Sequence, residues 1–443
     1  MSSFDVVVLG AGPAGLAAAR GAAATGRSVL VVERAPVVGG MAASFDVAGV
    51  RVDHGSHRLH SAPPELRAFL GDELQTRARN GRIALEGRWV AFPVRATDLA
   101  RRLPPSFVAT ALRDQVRRER ATNDTFADVV VARLGRTMGE RFYFPYARKL
   151  WGVEPHELSG EQARRRISAR GAGGLLRRAL RRERPTFLYP RGGFGRIVEV
   201  LADDAVARGA TIRTSTSATA VDVSARRVTL DDGTTVGAGR VWSTVPLPSL
   251  ARLAGAPADV LDAAARLEQR AMVLVYLVVD RPHWTAFDAH YLPGPSTPVT
   301  RVSEPKNYRD RPADPPDRTV VCAEIPCAVD DDVWTAAPGD VGARVADDLA
   351  ALGLPRVTPV DVDVRRLPAA YPIYRAGFER HLAPVEAWAA AQPGLLSFGR
   401  LGLFAHDNTH HALAEAAAAV GTLTGDVDWT AARASFASHV VED

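Results

Sequence analysis

Residues 4–33 read FDVVVLGAGPAGLAAARGAAATGRSVLVVE, and the reading of this stretch decides the fold. Asp5 to Leu9 is a short β-branched run, as expected of a buried parallel strand. Gly10, Gly12 and Gly15 follow at G-x-G-x-x-G spacing, and Leu16 to Thr25 reads as a helix. Ser28 to Val32 is a second buried strand, closed by Glu33. In such a strand–turn–helix–strand unit each glycine has a task. Gly10 makes the tight turn, Gly12 lets backbone approach a pyrophosphate, and Gly15 lets helix and strand pack closely. Ala14 lies in the same turn, at the helix N-terminus, where free N–H groups attract phosphate. Glu33 can accept hydrogen bonds from both ribose hydroxyls and would repel a 2′-phosphate.

A glycine triplet alone does not separate FAD from NAD. Arg34 follows Glu33, and Gly39-Gly40-Met41 comes shortly after. This E-R-x(4)-G-G arrangement resembles the FAD-binding signature of the amine oxidase, protoporphyrinogen oxidase and phytoene desaturase superfamily. The resemblance implies an α/β fold: a split Rossmann-like FAD-binding domain plus a second domain of mixed β-sheet and helices. The expected division is 1–80, 189–270 and 385–443 for the cofactor domain. Residues 81–188 and 271–384 would form a substrate-binding domain with a helical cap.

Further along the chain, FDVAGVRVDHGSHRLH (45–60) reads as a hairpin turning at Gly49, then a loop dense in polar groups. In the superfamily this segment passes beside the flavin ring, which brings Gly55, Ser56 and His57 into the expected site. Its G-x-H-x-x-H spacing resembles UDP-galactopyranose mutase and its relatives, and His57 matches the histidine near the flavin. There a neutral imidazole would hydrogen-bond flavin or substrate, or shuttle a proton. The competing reading is a surface loop that holds three histidines.

GRIALEGRWVAFPV (81–94) alternates around Glu86-Gly87 and predicts a hairpin. Leu99 to Arg120 is expected to be one arginine-rich helix, and Asn123 to Gly135 a helix with an N-cap-like start. ERFYFPYARKLWGVEPHEL (140–158) packs aromatics around Lys149. Its F-x-x-P-Y-x-x-K-x-W-G pattern also resembles the mutase-like branch. Lys149 is either a substrate anchor or a residue that snorkels from an aromatic core.

The turn Gly192-Gly193-Phe194-Gly195 leads into an amphipathic helix. Val221 lies where relatives present backbone to the adenine, and RVWSTVP (240–246) resembles a strand of the superfamily. Strands are also expected at 272–279, 299–302, 319–325 and 360–367. The polar run 301–308 either faces substrate or is an edge loop, and Tyr374 is a pocket candidate within YPIY (371–374). Finally, LLSFGRLGLFAHDNTHHALAEAAAAV (395–420) reads as strand, Gly399-Arg400 turn, polar loop and alanine-rich helix. Relatives close this unit over the flavin, which adds Gly399, Arg400, Asp407, Asn408 and Thr409 to the cofactor set. Asp407 or Asn408 is expected to cap the helix.

The expected catalytic residues are therefore His57, Lys149 and Tyr374, acting with FAD on a small-molecule substrate. Hydride transfer to flavin is the first expectation, and a non-redox mutase reaction the alternative. Cys322 and Cys327 make neither a disulfide framework nor a paired zinc motif, so no metal is expected. The absence of a leader pattern ahead of the first strand and of a long apolar run suggests a cytoplasmic protein. The net charge of +5 is carried almost wholly by arginine, and Lys149 and Lys306 are the only lysines. Its densest cluster, 164–184, is read as a solvated helix face rather than a membrane-binding one. Nucleic acid is not an expected partner, because no binding motif accompanies the charge.

Overall fold

The β-branched run after Phe4 does become a strand, Ser3–Leu9, with Val6, Val7 and Val8 fully buried. The computed structural model describes residues 2–117, 123–167 and 185–441. Ser3–Leu9 sits in the middle of a seven-stranded sheet. Val29–Val32 and Thr235–Ser243 flank it in parallel, and Thr211–Arg213 lies outside Val29–Val32. The antiparallel hairpin Ala218–Asp222 and Arg227–Leu230 extends the other edge. Leu395–Ser397 adds a parallel strand to the C-terminal half of Thr235–Ser243. One sheet thus gathers the start, middle and end of the chain. Helices Pro13–Ala24, Arg196–Ala207 and Thr409–Thr424 pack together on one face. The small alanine side chains of the first and last of these let their axes approach closely.

A second seven-stranded sheet is mixed. Its order is Asp361–Pro372, Gln269–Val279, Thr319–Cys327, Arg301–Ser303, Ala289–Tyr291, Gly81–Leu85 and Arg88–Phe92. The central strands Gln269–Val279 and Thr319–Cys327 are buried on both faces, which explains their nearly continuous apolar sequences. Helix Pro338–Ala351 covers one face, while the hairpin Ser44–Val47 and Val50–Asp53 packs on the other. The loop after that hairpin consequently lies where the two sheets meet.

Three local expectations change. The helix expected over Leu99 to Arg120 is two helices, Ala96–Arg102 and Pro105–Val116. Pro104 and Pro105 cannot continue a helix but can begin one. The next N-cap is Thr125, which accepts the Asp128 amide at 3.2 Å, rather than Asn123. The strand expected at 360–367 runs on to Pro372 and carries Tyr371 into the sheet. Within the arginine cluster, Arg164–Arg166 end helix Gly160–Arg166, while Arg177, Arg178, Arg181 and Arg182 lie outside the described residues.

Candidate functional site

The glycine turn is built by backbone contacts. Gly10 has φ +100°, and its amide donates to Val32 O at 2.8 Å. Gly15 packs so closely that an added Cβ would sit 2.0 Å from Gly10 O. Gly12 differs: its φ is −76°, and an added Cβ would meet nothing within 4 Å. That open space lies at the N-terminus of the first helix. Ala14 is buried beside Gly399. The second glycine pair folds back onto the turn, with the Gly39 amide donating to Ala11 O at 2.7 Å. Gly40 stands against the Gly12 Cα. Glu33 accepts the Ala11 and Ala35 amides, each at 2.8 Å, so its carboxylate is aimed across the turn.

Two clefts meet at this turn. One is lined by Gly10, Glu33 and Arg34 together with Thr216, Ser217 and Ala218. The other encloses about 1400 Å³, including its open mouth, and begins at Pro13 and Met41. It gathers Gly55, Ser56, His57, Arg400, Asp407, Asn408 and Thr409 from the expected set. A dinucleotide fits this layout: a carboxylate for ribose in one cleft, an open glycine position for pyrophosphate between them, and a broad chamber beyond.

Two expected side chains, Lys149 and Tyr374, are placed elsewhere, and Val221, expected through its backbone, buries its side chain. Val221 is 4% exposed and packs in the core beneath the sheet, while Thr216 to Ala218 line the Glu33 cleft. Lys149 donates to Leu292 O at 2.6 Å and Val299 O at 3.1 Å, tying a helix to the second sheet. Burial lowers its ammonium pKa to about 8. Its neighbours Tyr146 and Leu150 line the main cleft instead. Tyr374 is buried, stacks on Phe378 and donates to Phe404 O at 2.8 Å. The cleft residue of that segment is Tyr371.

The His57 loop is held by the second sheet. Tyr276 donates to Asp53 O at 2.6 Å, and Glu324 accepts the Ser56 amide at 2.8 Å. Arg301 grips the same carboxylate at 2.9 and 2.8 Å and also reaches Ser56 O. Tyr308 and Ser56 share a short hydroxyl contact. The His57 ring stacks on Phe194 with centroids 4.9 Å apart, and its Nδ1 is buried with no hydrogen-bond partner among the described residues. Burial, against the pull of Glu324, lowers its pKa to about 3. His57 is therefore neutral at ordinary pH. A neutral imidazole whose pKa lies this low is poorly matched to a proton-shuttle role.

The remaining wall is cationic. Arg58 and Asp288, both almost fully buried, pair at 3.4 Å, and Arg301 pairs with Glu324. Arg400 lies over the Tyr371 ring, 4.7 Å from its centroid, and forms no ion pair among the described residues. Burial lowers its pKa, as for a cation short of compensation. Arg166 enters from the other side, over Trp151 and Tyr371. Helix Thr409–Thr424 presents its N-terminus to the cleft. Asn408 and His411 form its capping box, so Asn408 is the cap and Asp407 is not.

Sequence reasoning passed over Glu324, although its signal was visible. It is the lone carboxylate in the apolar strand Thr319–Cys327. Such a residue persists in a buried strand only with a partner.

Residues 13–418 match the sequence profile described as flavin containing amine oxidoreductase. The chain belongs to that family. Its cofactor is FAD, and the family's chemistry is redox. Mycobacterium tuberculosis AofH, provisionally named a flavin-containing monoamine oxidase, is 33% identical over 195 residues. That match covers 40% of this chain and 42% of AofH. Putrescine oxidase of Kocuria rosea is 45% identical over 80 residues, 17% of each chain. The chain thus spans less than half the length of these curated relatives. The fold is also that of reduced UDP-galactopyranose mutase, with TM-score 0.84 and 21% identity over 99% of this chain and 100% of that one. Among the described residues no helix is long and apolar enough to cross a membrane.

Proposed function

We propose that this flavoenzyme oxidises an anionic small molecule, with hydride leaving a substrate C–H bond for the flavin. The single observation that supports the charge assignment is Arg400, a buried guanidinium at the cleft wall without an ion pair among the described residues. A protonated amine would be repelled there, whereas a carboxylate or phosphate would add to the compensation that Asp407, shared with Arg165 and His439, supplies to Arg400. FAD, when bound, supplies the hydride-accepting ring.

The chain's own residues do the rest. The Gly10–Gly15 turn would hold the pyrophosphate, Glu33 the ribose, and Thr216 to Ala218 the adenine side. Gly55, Ser56 and His57 would flank the ring, with Glu324 and Arg301 keeping their loop in place. Neutral His57 offers a directed hydrogen bond from a dry wall. The N-terminus of helix Thr409–Thr424 favours negative charge at the cleft. Arg400 and Arg166 bind the substrate anion, and Tyr371 between them orients it.

The same arginines favour a second reading, a non-redox mutase acting on a sugar nucleotide, because a diphosphate would also satisfy them. One experiment separates these readings. Oxidised protein is mixed anaerobically with panels of carboxylates, phosphates, sugar nucleotides and amines, and flavin absorbance is followed. Bleaching by a carboxylate or phosphate is expected. Turnover of a sugar nucleotide only after chemical reduction favours the mutase, and bleaching by amines alone overturns the anionic reading. With the substrate found, His57→Ala should retain FAD and lose about 10²-fold or more in kcat.

A further inference from the structure

Behind the wall of the main cleft lies a polar cluster that none of these steps uses. Glu415 stands in the alanine run of helix Thr409–Thr424 and is 0% exposed. An ionised carboxylate there must find neutralising partners or keep its proton. Its Oε2 accepts the Gly399 amide at 2.6 Å. Gly399 has φ +80°, and an added Cβ would lie 3.1 Å from the Ala14 Cβ. The turn is thus wedged between the first helix and Glu415, and its next residue is Arg400. The Glu415 carboxyl also lies against the Asp407 side chain. Glu415 Oε1 and Asp407 Oδ2 are both buried, and neither has a donor among the described residues.

The surrounding charges fall unequally on the two acids. Asp407 Oδ1 lies 3.3 Å from His439 Nδ1 and 3.6 Å from His411 Nδ1. Arg165 approaches Asp407 from helix Gly160–Arg166, and Arg400 approaches it from its own turn. Glu415 has the more distant Arg433 of helix Trp429–Phe436, with His439 at 3.9 Å from its Oε1. Two touching buried carboxyls do not both ionise. The charge belongs on Asp407, where the donors are, and the proton on Glu415.

A metal ion is the rival occupant, since ligand atoms of Asp407, His411 and His439 lie within 4.8 Å of one another. The two imidazoles, however, stack at 4.2 Å with planes 13° apart. Stacked rings cannot both direct in-plane lone pairs at a common ion. The His411 Nδ1 lone pair also serves the helix cap, accepting the Asn408 amide.

We propose that Glu415 is a positioning residue that stays protonated. It donates to Asp407, accepts the Gly399 amide, and so holds the Arg400 turn and the Asp407 loop in one register at the cleft. Burial and the adjacent Asp407 charge push the Glu415 carboxyl well up, while the His439 contact outweighs burial and keeps Asp407 below its usual value. The inference rests on the cofactor reading only for what this turn and loop carry.

Infrared spectroscopy of the FAD-loaded protein tests it directly. Wild type should show the carbonyl stretch of a protonated carboxylic acid, shifted by ¹³C-carboxyl glutamate labelling and persisting to about pH 8. Glu415→Gln should remove that band yet retain FAD affinity within about threefold, because the amide can both donate to Asp407 and accept from Gly399. Glu415→Leu can do neither and should weaken FAD binding about tenfold or more. Absence of a glutamate-sensitive band, or equal damage from Gln and Leu, overturns the proposal. If Leu prevents folding, Asp407→Asn supplies the second arm. Asn replaces the carboxylate that accepts the Glu415 proton with a weaker amide acceptor, so the glutamate band should move to higher frequency or vanish, and an unmoved band would overturn the donation to Asp407. The band needs no turnover, so failure of the anionic-substrate screen leaves it in place.

Discussion

The two clefts that meet at the glycine turn are built on different principles. The floor of the Glu33 cleft is mainly a backbone object: the glycine turn, the glycine pair that folds back on it and the Glu33 carboxylate lie within residues 9–40, with nearly every contact to a main-chain atom, although residues 216–369 supply the cleft's other walls. The main cleft is a side-chain object, assembled from segments between residue 13 and residue 441. The first should fail when a backbone position is filled. The second should fail when a buried charge loses its partner.

The sharpest break lies within one motif. Gly15→Ala places a methyl group where Gly10 O already stands, 2.0 Å away. Loss of soluble, yellow protein is expected. At Gly12 an added Cβ meets no atom within 4 Å, and valine fits the φ of −76°. Gly12→Val should fold with unchanged circular dichroism yet purify colourless, because the branched side chain takes the pyrophosphate's space. Full flavin occupancy in that variant would refute this reading of the turn.

In the main cleft the largest effect is expected from Glu324→Ala. It strands Arg301, whose side chain is 16% exposed, and frees the Ser56 amide. The expected loss is about 3–5 kcal/mol in chemical denaturation. A change below about 1 kcal/mol would mean the pair contributes no more than a surface ion pair.

A broader effect comes from the neutral histidines. Burial lowers the pKa of His57 to about 3 and that of His290 and His411 to about 4. The unfolded chain therefore binds protons that the folded chain refuses. Stability is whole above about pH 6.5 and should fall as pH drops toward 4, by about 1.4 kcal/mol per pH unit per histidine. Denaturant midpoints across that range test the sign, and a midpoint that rises on acidification contradicts it.

The smallest expected effect distinguishes neighbours in one strand-to-loop segment. Tyr374→Phe loses one bond to Phe404 O and should cost about 1 kcal/mol with turnover intact. Tyr371→Phe should leave stability nearly unchanged and raise KM for the anionic substrate, because Tyr371 lies between the two arginines. Reversal of these phenotypes would move the pocket assignment back to Tyr374.

These contrasts follow what could be read before folding. Gly10, Gly12, Gly15 and Glu33 were legible because a tight turn, a helix start and a closing carboxylate are local requirements, met within about thirty residues. The loop carrying His57 and the C-terminal unit carrying Arg400 and Asp407 were legible through resemblance to a family. Lys149 and Tyr374 were misplaced for one common reason. Their neighbours Tyr146 and Tyr371 do face the main cleft, and which residue of a segment turns inward depends on helix phase or strand register. Glu324 was overlooked because its meaning lies in Arg301 and Ser56, which only pairing of Arg301–Ser303 with Thr319–Cys327 and docking of the hairpin loop bring near. The sequence by itself determined the backbone cradle, since turn geometry depends on residues a few positions apart. Tertiary structure decided the charged wall of the pocket, since opposite charges on separate strands and loops become partners only when sheet register and burial leave them no solvent to prefer.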